Sequence, residues 1–146
     1  MIEELQLRNF KAFQEVDIAL TRLNLLVGAN GAGKSSVLQS IALLKQSIES
    51  GAVGSGQLML NGELANLGTG RDVLHDNPLG DPPRIEIGLA ADGVRASVVA
   101  DYSPDADQLA LHSSTSPWPE FAGLEQCTYI RADRLSPSEY YPYSYD

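Results

Sequence analysis

Hydrophobic and polar positions alternate in two runs near the start of the chain, which predicts two β-strands. The run IEELQLRNF at 2–10 places Ile2, Leu5 and Leu7 on its inward side, and VDIAL at 16–20 alternates again. A period of two is typical of a strand with one buried face. Both runs are therefore predicted to belong to a half-exposed sheet.

The next apolar segment, LNLLVG at 23–28, predicts a different kind of strand. Strands that are covered on both faces carry uninterrupted apolar runs, because neither face meets water. We therefore expect a central, buried strand here.

A helix is predicted at 34–50. Apolar side chains recur there at helical spacing, at Val37, Ile41, Leu44 and Ile48. Gly51 follows as a C-terminal cap, a position at which helices favour glycine.

The remainder of the chain predicts mainly strands. LMLNGEL at 58–64 is expected to be a strand that enters a turn, and GRDVLHDN at 70–77 a single helical turn. Three strand-like runs follow at 84–90, 94–102 and 107–112. The Ala-Asp-Gly connector between the first two of these predicts an antiparallel hairpin. Beyond them, the chain is loop-like from 113, with one more buried strand predicted at 127–133.

Composition and charge argue against a nucleic-acid-binding, membrane-spanning or secreted protein. The chain of 146 residues is long enough for one independent core, and its net charge of −9 argues against direct binding of nucleic acid by this piece. No apolar run approaches the ~20 residues of a membrane-spanning helix. The acidic, alternating start is not a secretory signal, and the lone Cys127 allows no internal disulfide. A cytoplasmic location is the resulting expectation.

Residues 28–35, GANGAGKS, fit the phosphate-binding pattern G-x-x-x-x-G-K-[ST]. Its glycines let the backbone curl with the N–H groups turned inward, and the following helix points its positive end at the same anion. Because an apolar segment precedes the loop and a helix follows it, we interpret it as a Walker A loop that binds ATP.

The roles within this loop are predicted residue by residue. Lys34 would reach the β- and γ-phosphates, and the Ser35 hydroxyl would bind Mg²⁺. Ser36 is placed to offer a hydroxyl to the α-phosphate. The backbone cradle comprises Gly28, Ala29, Asn30, Gly31, Ala32 and Gly33.

Hydrolysis requires groups that the loop does not supply. P-loop NTPases also hold Mg²⁺ with an acidic residue at the end of a second core strand, and a further group orients the attacking water. No apolar run in the sequence ends in an acidic pair. Asp101, at the end of SVVAD, is the nearest candidate, and we interpret it as a sheet-end residue rather than a magnesium ligand.

The first 50 residues resemble a known family. LQLRNFKAFQEVDIAL and LNLLVGANGAGKSSVLQSIALLKQS are similar to the N-terminus of the ABC-like ATPases of the RecF, SMC and overcoming-lysogenization-defect (OLD) group. LMLNGELANLGTGRDVLH and YIRADRLSP resemble a bacterial AAA-type subgroup that is often fused to, or encoded beside, nucleases in phage defence. DNA repair and chromosome organisation also use this lobe.

The resemblance implies an α/β fold: a P-loop NTPase N-terminal lobe, with a mixed sheet around the P-loop helix plus an antiparallel β-subdomain. Its parts would be 1–50 for the first strands, P-loop and helix, 51–126 for the β-subdomain and loops, 127–133 for a core strand and 134–146 for an irregular tail. In such ATPases the signature helix, the Walker B acid and the catalytic glutamate come later, so the C-terminal half is expected to be absent from this chain.

The resemblance also implies further site residues. The turn RNFKAF at 8–13 lies beside the base and ribose in the family, which implies nucleotide contacts from three residues: Arg8, Asn9 and Lys11. Phe10 and Phe13 of the same turn are expected in the core. His75 and His112 have no metal-ligand spacing and are expected at the surface.

The end of the predicted strand at 127–133 corresponds to the region before the Q-loop of ABC ATPases. The sequence there is YIRADR and has no glutamine. Asp133 or Arg134 is a substitute near the γ-phosphate and the metal, and an exposed strand-end pair is an equally open interpretation.

Two functional interpretations follow. The first is the ATP-binding lobe of an ABC-like ATPase, which alone would hydrolyse ATP weakly or not at all. Hydrolysis of ATP would then require the Walker B and signature motifs of a missing C-terminal half, a homodimer partner or another chain. The second is a non-catalytic, nucleotide-responsive or assembly subunit of a split or multi-chain complex, for example a nuclease-linked defence complex or a DNA-repair complex.

Overall fold

The computed structural model describes residues 1–115, 124 and 127–129, and six strands and two helices have defined bounds within them. The strands are β1 (Ile2–Phe10), β2 (Phe13–Ala19), β3 (Gln57–Met59), β4 (Arg84–Ala91), β5 (Val94–Asp101) and β6 (Gln108–Thr115). The helices are α1 (Lys34–Glu49) and α2 (Gly70–Val73), with a 3-10 turn at Val53–Ser55. The strands form one sheet in the order β2-β1-β4-β5-β6-β3.

The register of the sheet places apolar side chains on one face. Leu7 of β1 lies opposite Val16 of β2 on one side and Ile87 of β4 on the other. Leu7 and Ile87 are fully buried, and they share one core cluster with Leu43 and Leu44 of α1. The period-two alternation predicted for these strands is thereby confirmed, and α1 covers the apolar face.

The opposite face of the sheet carries ion pairs. Arg95 lies 2.9 Å from Glu4, and Arg84 lies 2.9 Å from Asp101, each pair joining neighbouring strands or strands two apart. Asp101 ends β5 in this arrangement, which confirms it as a sheet-end residue.

The predicted hairpin at 84–102 is confirmed. Ala91 lies opposite Val94, and Asp92 and Gly93 between them have φ of 52° and 79°. Two positive φ values are those of a type I′ turn, which matches the twist of the strands that it joins. β6 extends beyond the predicted end of its strand to Thr115.

The sheet corrects the predicted mixed topology. Every pair of neighbouring strands among the described residues is antiparallel. Parallel neighbours require crossover connections, whereas β1–β2 and β4–β5 are joined by short turns that enforce antiparallel pairing. β1 and β2 therefore share one sheet with β4, β5 and β6.

The prediction of a covered central strand at 23–28 is wrong for the described structure. No described strand pairs with this segment, and Leu23, Leu25 and Val27 are 88%, 85% and 81% exposed. Leu26 of the same segment is partly buried and packs against the core. An apolar run in the sequence indicates that its side chains favour burial. It does not indicate which strands pack against them.

The predicted helix at 34–50 is confirmed as α1, and Gly51 has the left-handed φ of 77° expected after a helix. The buried face differs from the predicted stripe. Val37 is buried, but Ile41 and Ile48 are only half-buried, because the helix also turns polar side chains toward the sheet.

These buried polar side chains are satisfied by the backbone around β3. Gln46 Nε2 donates to Met59 O at 2.9 Å, and Gln46 Oε1 accepts from the Ala65 N–H at 2.8 Å. Ser47 Oγ accepts from the Met59 N–H at 3.0 Å. A buried polar group is tolerated when it is hydrogen-bonded, and such partners are invisible to a hydrophobic pattern.

Several predictions fall on the end of the chain. Residues 127–129 are not part of a strand. The rest of the predicted strand at 127–133, the tail at 134–146, and with them Asp133 and Arg134, lie outside the described residues. No helix in the described part of the chain is long and apolar enough to cross a membrane.

Candidate nucleotide-binding site

The predicted phosphate-binding loop lies between the extended segment 23–28 and the N-terminus of α1. The Ala32 N–H donates to Ala29 O at 3.2 Å, which closes a tight turn. Gly31 and Gly33 have φ of 83° and 89°, values that glycine adopts without steric cost. The loop therefore has the curled backbone that its glycines predict.

Gly33 is the N-cap of α1 and lies against the turn between β1 and β2. A Cβ atom at this position would lie 2.5 Å from Phe13 Cζ and 3.1 Å from Ala12 Cβ. Both the left-handed backbone and the close approach of Phe13 therefore require glycine. The same contact joins the loop to the turn that the family resemblance places beside the nucleotide.

The N-terminus of α1 is suited to an anion. Its first N–H groups have no intrahelical acceptors and carry partial positive charge. No acidic side chain occupies the first turn of the helix. Lys34 Nζ donates to Gly28 O and Ala29 O, both at 2.6 Å, so the ammonium group lies across the loop. Ser35 is exposed next to it, and Ser36 is buried.

A shallow cavity of about 190 Å³ opens at this helix end, lined by Asn30, Gly31, Gly33, Lys34, Ser35 and Ser36. Pockets that enclose a whole small molecule measure about 300–1,000 Å³. The cavity therefore accommodates phosphate groups, and the ribose and base of a nucleotide would have to rest on residues outside it.

The cavity fits a magnesium ion only if the phosphates of a nucleotide supply some of its oxygen ligands. Within residues 1–115, 124 and 127–129, no three side chains of the metal-binding types come together. Mg²⁺ usually keeps several waters and takes one or two protein oxygens together with substrate phosphates. The exposed Ser35 hydroxyl fits such a site. Asp133, the other predicted metal ligand, lies outside the described residues.

The predicted contact residues of the β1–β2 turn have different surroundings. Arg8 is half exposed on the ion-paired face of the sheet, where it lies 2.9 Å from Glu15 and 3.8 Å from Glu86. Its guanidinium group is not among the groups that line the loop cavity. The structure does not bring Arg8 to the phosphate-binding loop.

Asn9 is buried and has a left-handed φ of 54°. Its Nδ2 donates to Leu79 O at 2.9 Å and to Arg84 O at 2.8 Å, and its Oδ1 accepts from the Leu79 N–H at 2.7 Å. The side-chain amide thus fastens the β1–β2 turn to the segment before β4. The side-chain amide of Asn9 therefore has a structural role, and its contact with the nucleotide stays a prediction.

Lys11 lies one residue from the contact between this turn and Gly33. Its backbone is also left-handed, with φ of 48°. Burial of the amine lowers the pKa of Lys11, and the negative charge of Asp72 opposes that shift. Hydrogen bonds from the backbone and hydroxyl of Thr69 hold the pKa of Asp72 below its usual value, so Asp72 is a carboxylate at neutral pH.

His75 corrects a sequence prediction. It was expected at the surface, but it is half-buried and its Nδ1 lies 2.7 Å from Lys11 O. Residues 64 positions apart make this contact, and no local pattern could have revealed it. His112 is exposed, 3.7 Å from Asp101, as predicted. Phe10 is fully buried, which confirms it as a core residue.

A family model described as an AAA ATPase domain matches residues 1–86. The chain belongs to this family. Membership supports the interpretation of the loop as a nucleotide-binding element of an ATPase. It also agrees with the Gly33–Lys34 geometry at the start of α1.

Curated relatives of this AAA ATPase domain agree with the RecF, SMC and OLD group. The chain is 41% identical over 44 residues to an OLD nuclease of Thermus scotoductus, a match that covers 30% of the chain and 8% of the relative. It is 29% identical over 110 residues to the DNA replication and repair protein RecF of Cronobacter sakazakii, covering 75% of the chain and 29% of the relative. The chain thus spans less than a third of the length of these relatives.

Proposed function

We propose that this chain is the ATP-binding N-terminal lobe of an ABC-like ATPase of the RecF, SMC and OLD group. The observation that carries the proposal is the loop at 28–36, which combines left-handed glycines, an acid-free helix N-terminus and an ammonium group in one small cavity. Phosphate is the ligand to which these groups are complementary.

Each group has a distinct task in binding the triphosphate. The loop amides and the N-terminus of α1 would bind phosphate oxygens, while Lys34 exchanges its carbonyl acceptors for the β- and γ-phosphates. The Ser35 hydroxyl would hold Mg²⁺, which neutralises phosphate charge when it is bound. The same fixed donors would stabilise charge on the γ-phosphate during in-line attack by water.

Hydrolysis would require a completing segment, and the exposed apolar row Leu23, Leu25 and Val27 supports this part of the proposal. The three side chains are exposed on the segment that leads directly into the phosphate-binding loop. Burying one such side chain contributes about 1.5–3 kcal/mol. We expect the C-terminal half of the enzyme, a second copy or a partner chain to cover this row and to supply the Walker B and signature motifs.

A non-catalytic role is the second candidate. It is favoured by the absence from the sequence of an apolar run that ends in an acidic pair. In that case the chain would sense ATP within a multi-chain assembly, in DNA repair or in nuclease-linked phage defence. The net charge of −9 leaves DNA contacts in such an assembly to the partner.

ATP affinity of the Lys34→Ala variant tests the phosphate-binding assignment. Loss of charged hydrogen bonds to the phosphates should weaken ATP binding about 10- to 100-fold. Isothermal titration calorimetry with Mg-ATP measures the effect. Arg71→Ala is the matched control, because it also removes one positive charge, from an exposed side chain that is 3.2 Å from Asp105. Equal ATP affinity of Lys34→Ala and wild type would refute the assignment.

A further inference from the structure

The β1–β2 turn is held from one side by the end of α2 and the segment that follows it. The Lys11 N–H donates to Val73 O at 2.8 Å, and the His75 N–H donates to Asn9 O at 3.1 Å. His75 Nδ1 lies 2.7 Å from Lys11 O. Because a carbonyl oxygen only accepts, the His75 ring must carry its proton on Nδ1 and donate it to Lys11 O.

The other side of the same turn touches the phosphate-binding loop through Ala12 and Phe13, which lie against Gly33. Lys11 is therefore placed between two fixed contacts. Its left-handed backbone is unfavourable for lysine, and such a conformation persists only where the surrounding structure holds it. The two hydrogen bonds at its N–H and C=O are the bonds that do so.

We propose that His75 is a positioning residue of the nucleotide site, which holds the Lys11 main chain in its left-handed conformation and so directs the Lys11 amine to the bound nucleotide. The proposal rests on the ATP binding proposed above. The small loop cavity leaves the rest of the nucleotide to neighbouring residues, and Lys11 directly precedes Ala12, which lies against Gly33. His75 itself acts through Lys11 and not on ATP.

The surroundings of the Lys11 amine support this role. The amine is half-buried, and burial lowers the pKa of Lys11, while the negative charge of Asp72 opposes that shift. A cation that the fold has already partly removed from water attracts an anion more strongly than a fully hydrated one. That advantage depends on a fixed main chain, because a mobile turn would return the amine to solvent.

ATP affinity of His75 variants tests the proposal in the purified protein. His75→Ala removes the donor and should weaken Mg-ATP binding about 3- to 10-fold, the effect of one hydrogen bond. His75→Asn places an amide N–H near the position of Nδ1 and should restore affinity to within about 2-fold of wild type. His112→Ala, at an exposed histidine on another strand, should bind ATP as wild type does.

A double-mutant cycle with Lys11→Ala separates positioning from general loosening of the fold. If His75 acts through the Lys11 side chain, His75→Ala should add little to the loss already caused by Lys11→Ala. The same weakening in both backgrounds would overturn the proposal. So would unchanged affinity in His75→Ala while Lys34→Ala loses ATP. Unchanged affinity in Lys34→Ala would instead refute ATP binding by the loop, so the two failures are distinguishable.

The titration of Lys11 gives a second readout that does not depend on ATP. NMR of labelled lysine side chains follows the pKa of the amine directly. In His75→Ala the loosened turn should expose the amine, and the pKa of Lys11 should rise toward its ordinary value. In His75→Asn it should stay lowered. An unchanged pKa of Lys11 in His75→Ala would contradict the positioning role.

Discussion

Gly33 meets two constraints that no other residue type satisfies together. Its φ is 89°, and Phe13 and Ala12 approach it too closely for a side chain. Gly31 in the same loop has a φ of 83°, but open space surrounds the position of its Cβ. A substitution at Gly31 therefore introduces backbone strain alone, whereas the same substitution at Gly33 introduces both backbone strain and steric overlap.

We predict that Gly33→Ala destabilises the chain more than Gly31→Ala. A left-handed alanine costs about 1–3 kcal/mol in either place, and Gly33→Ala adds the overlap with Phe13. Thermal unfolding followed by circular dichroism measures the difference, at about 2–4 °C per kcal/mol for a chain of this size.

The control for these variants is Gly54→Ala, at a position with open space and an ordinary φ, which should leave the unfolding temperature nearly unchanged. A double variant, Gly33→Ala with Phe13→Ala, should recover part of the loss. Equal destabilisation by Gly31→Ala and Gly33→Ala would show that overlap with Phe13 does not contribute to the loss of stability.

The extended segment at 23–28 and helix α1 flank the loop, yet they differ in how the described fold covers them. Leu43 of α1 is fully buried, whereas Leu25 is 85% exposed. Both residues are leucines in apolar runs of the sequence. Their surroundings assign Leu43 to the core of this chain and Leu25 to its surface.

We predict that Leu25→Ala and Leu43→Ala have very different effects on the free energy of unfolding. Leu43→Ala creates a cavity and should cost about 2–5 kcal/mol. Leu25→Ala changes an exposed side chain and should stay within about 0.5 kcal/mol. Guanidinium unfolding of the two variants provides the comparison. Similar losses would mean that Leu25 is already covered in this chain, and the argument for a completing segment would fail.

At the scale of the whole described fold, the predicted phosphate-binding loop lies against the β1–β2 turn of a six-stranded antiparallel sheet. The groups that would activate water are not among the residues that line the loop cavity. Under the proposed function, the described lobe would hold ATP but would not turn it over at the rate of a complete ATPase.

We predict that this chain alone hydrolyses Mg-ATP far more slowly than about 1 s⁻¹, the lower end of typical enzyme turnover. A phosphate-release assay measures the rate, and Lys34→Ala supplies the background. Addition of a polypeptide that carries the Walker B and signature motifs of the same enzyme should raise the rate. Turnover at or above about 1 s⁻¹ by the chain alone would refute the requirement for a completing half.

The phosphate-binding loop and α1 were predictable from the sequence because their causes are local. Eight contiguous residues carry the loop pattern, a helical period follows it, and Gly51 marks the end of the helix. The hairpin of β4 and β5 is local in the same way, since its turn residues lie between the two strands that it joins. The family model matches residues 1–86, which include the loop and α1.

Only the tertiary structure decided which residues surround the loop and which apolar runs are buried. His75 reaches Lys11 across 64 positions, Phe13 packs against Gly33, and the amide of Asn9 is used within the fold. The apolar run at 23–28 remained uncovered although its composition predicted burial. The periodicity of a sequence indicates which side chains favour burial. The residues that bury them are determined by the long-range pairing of strands.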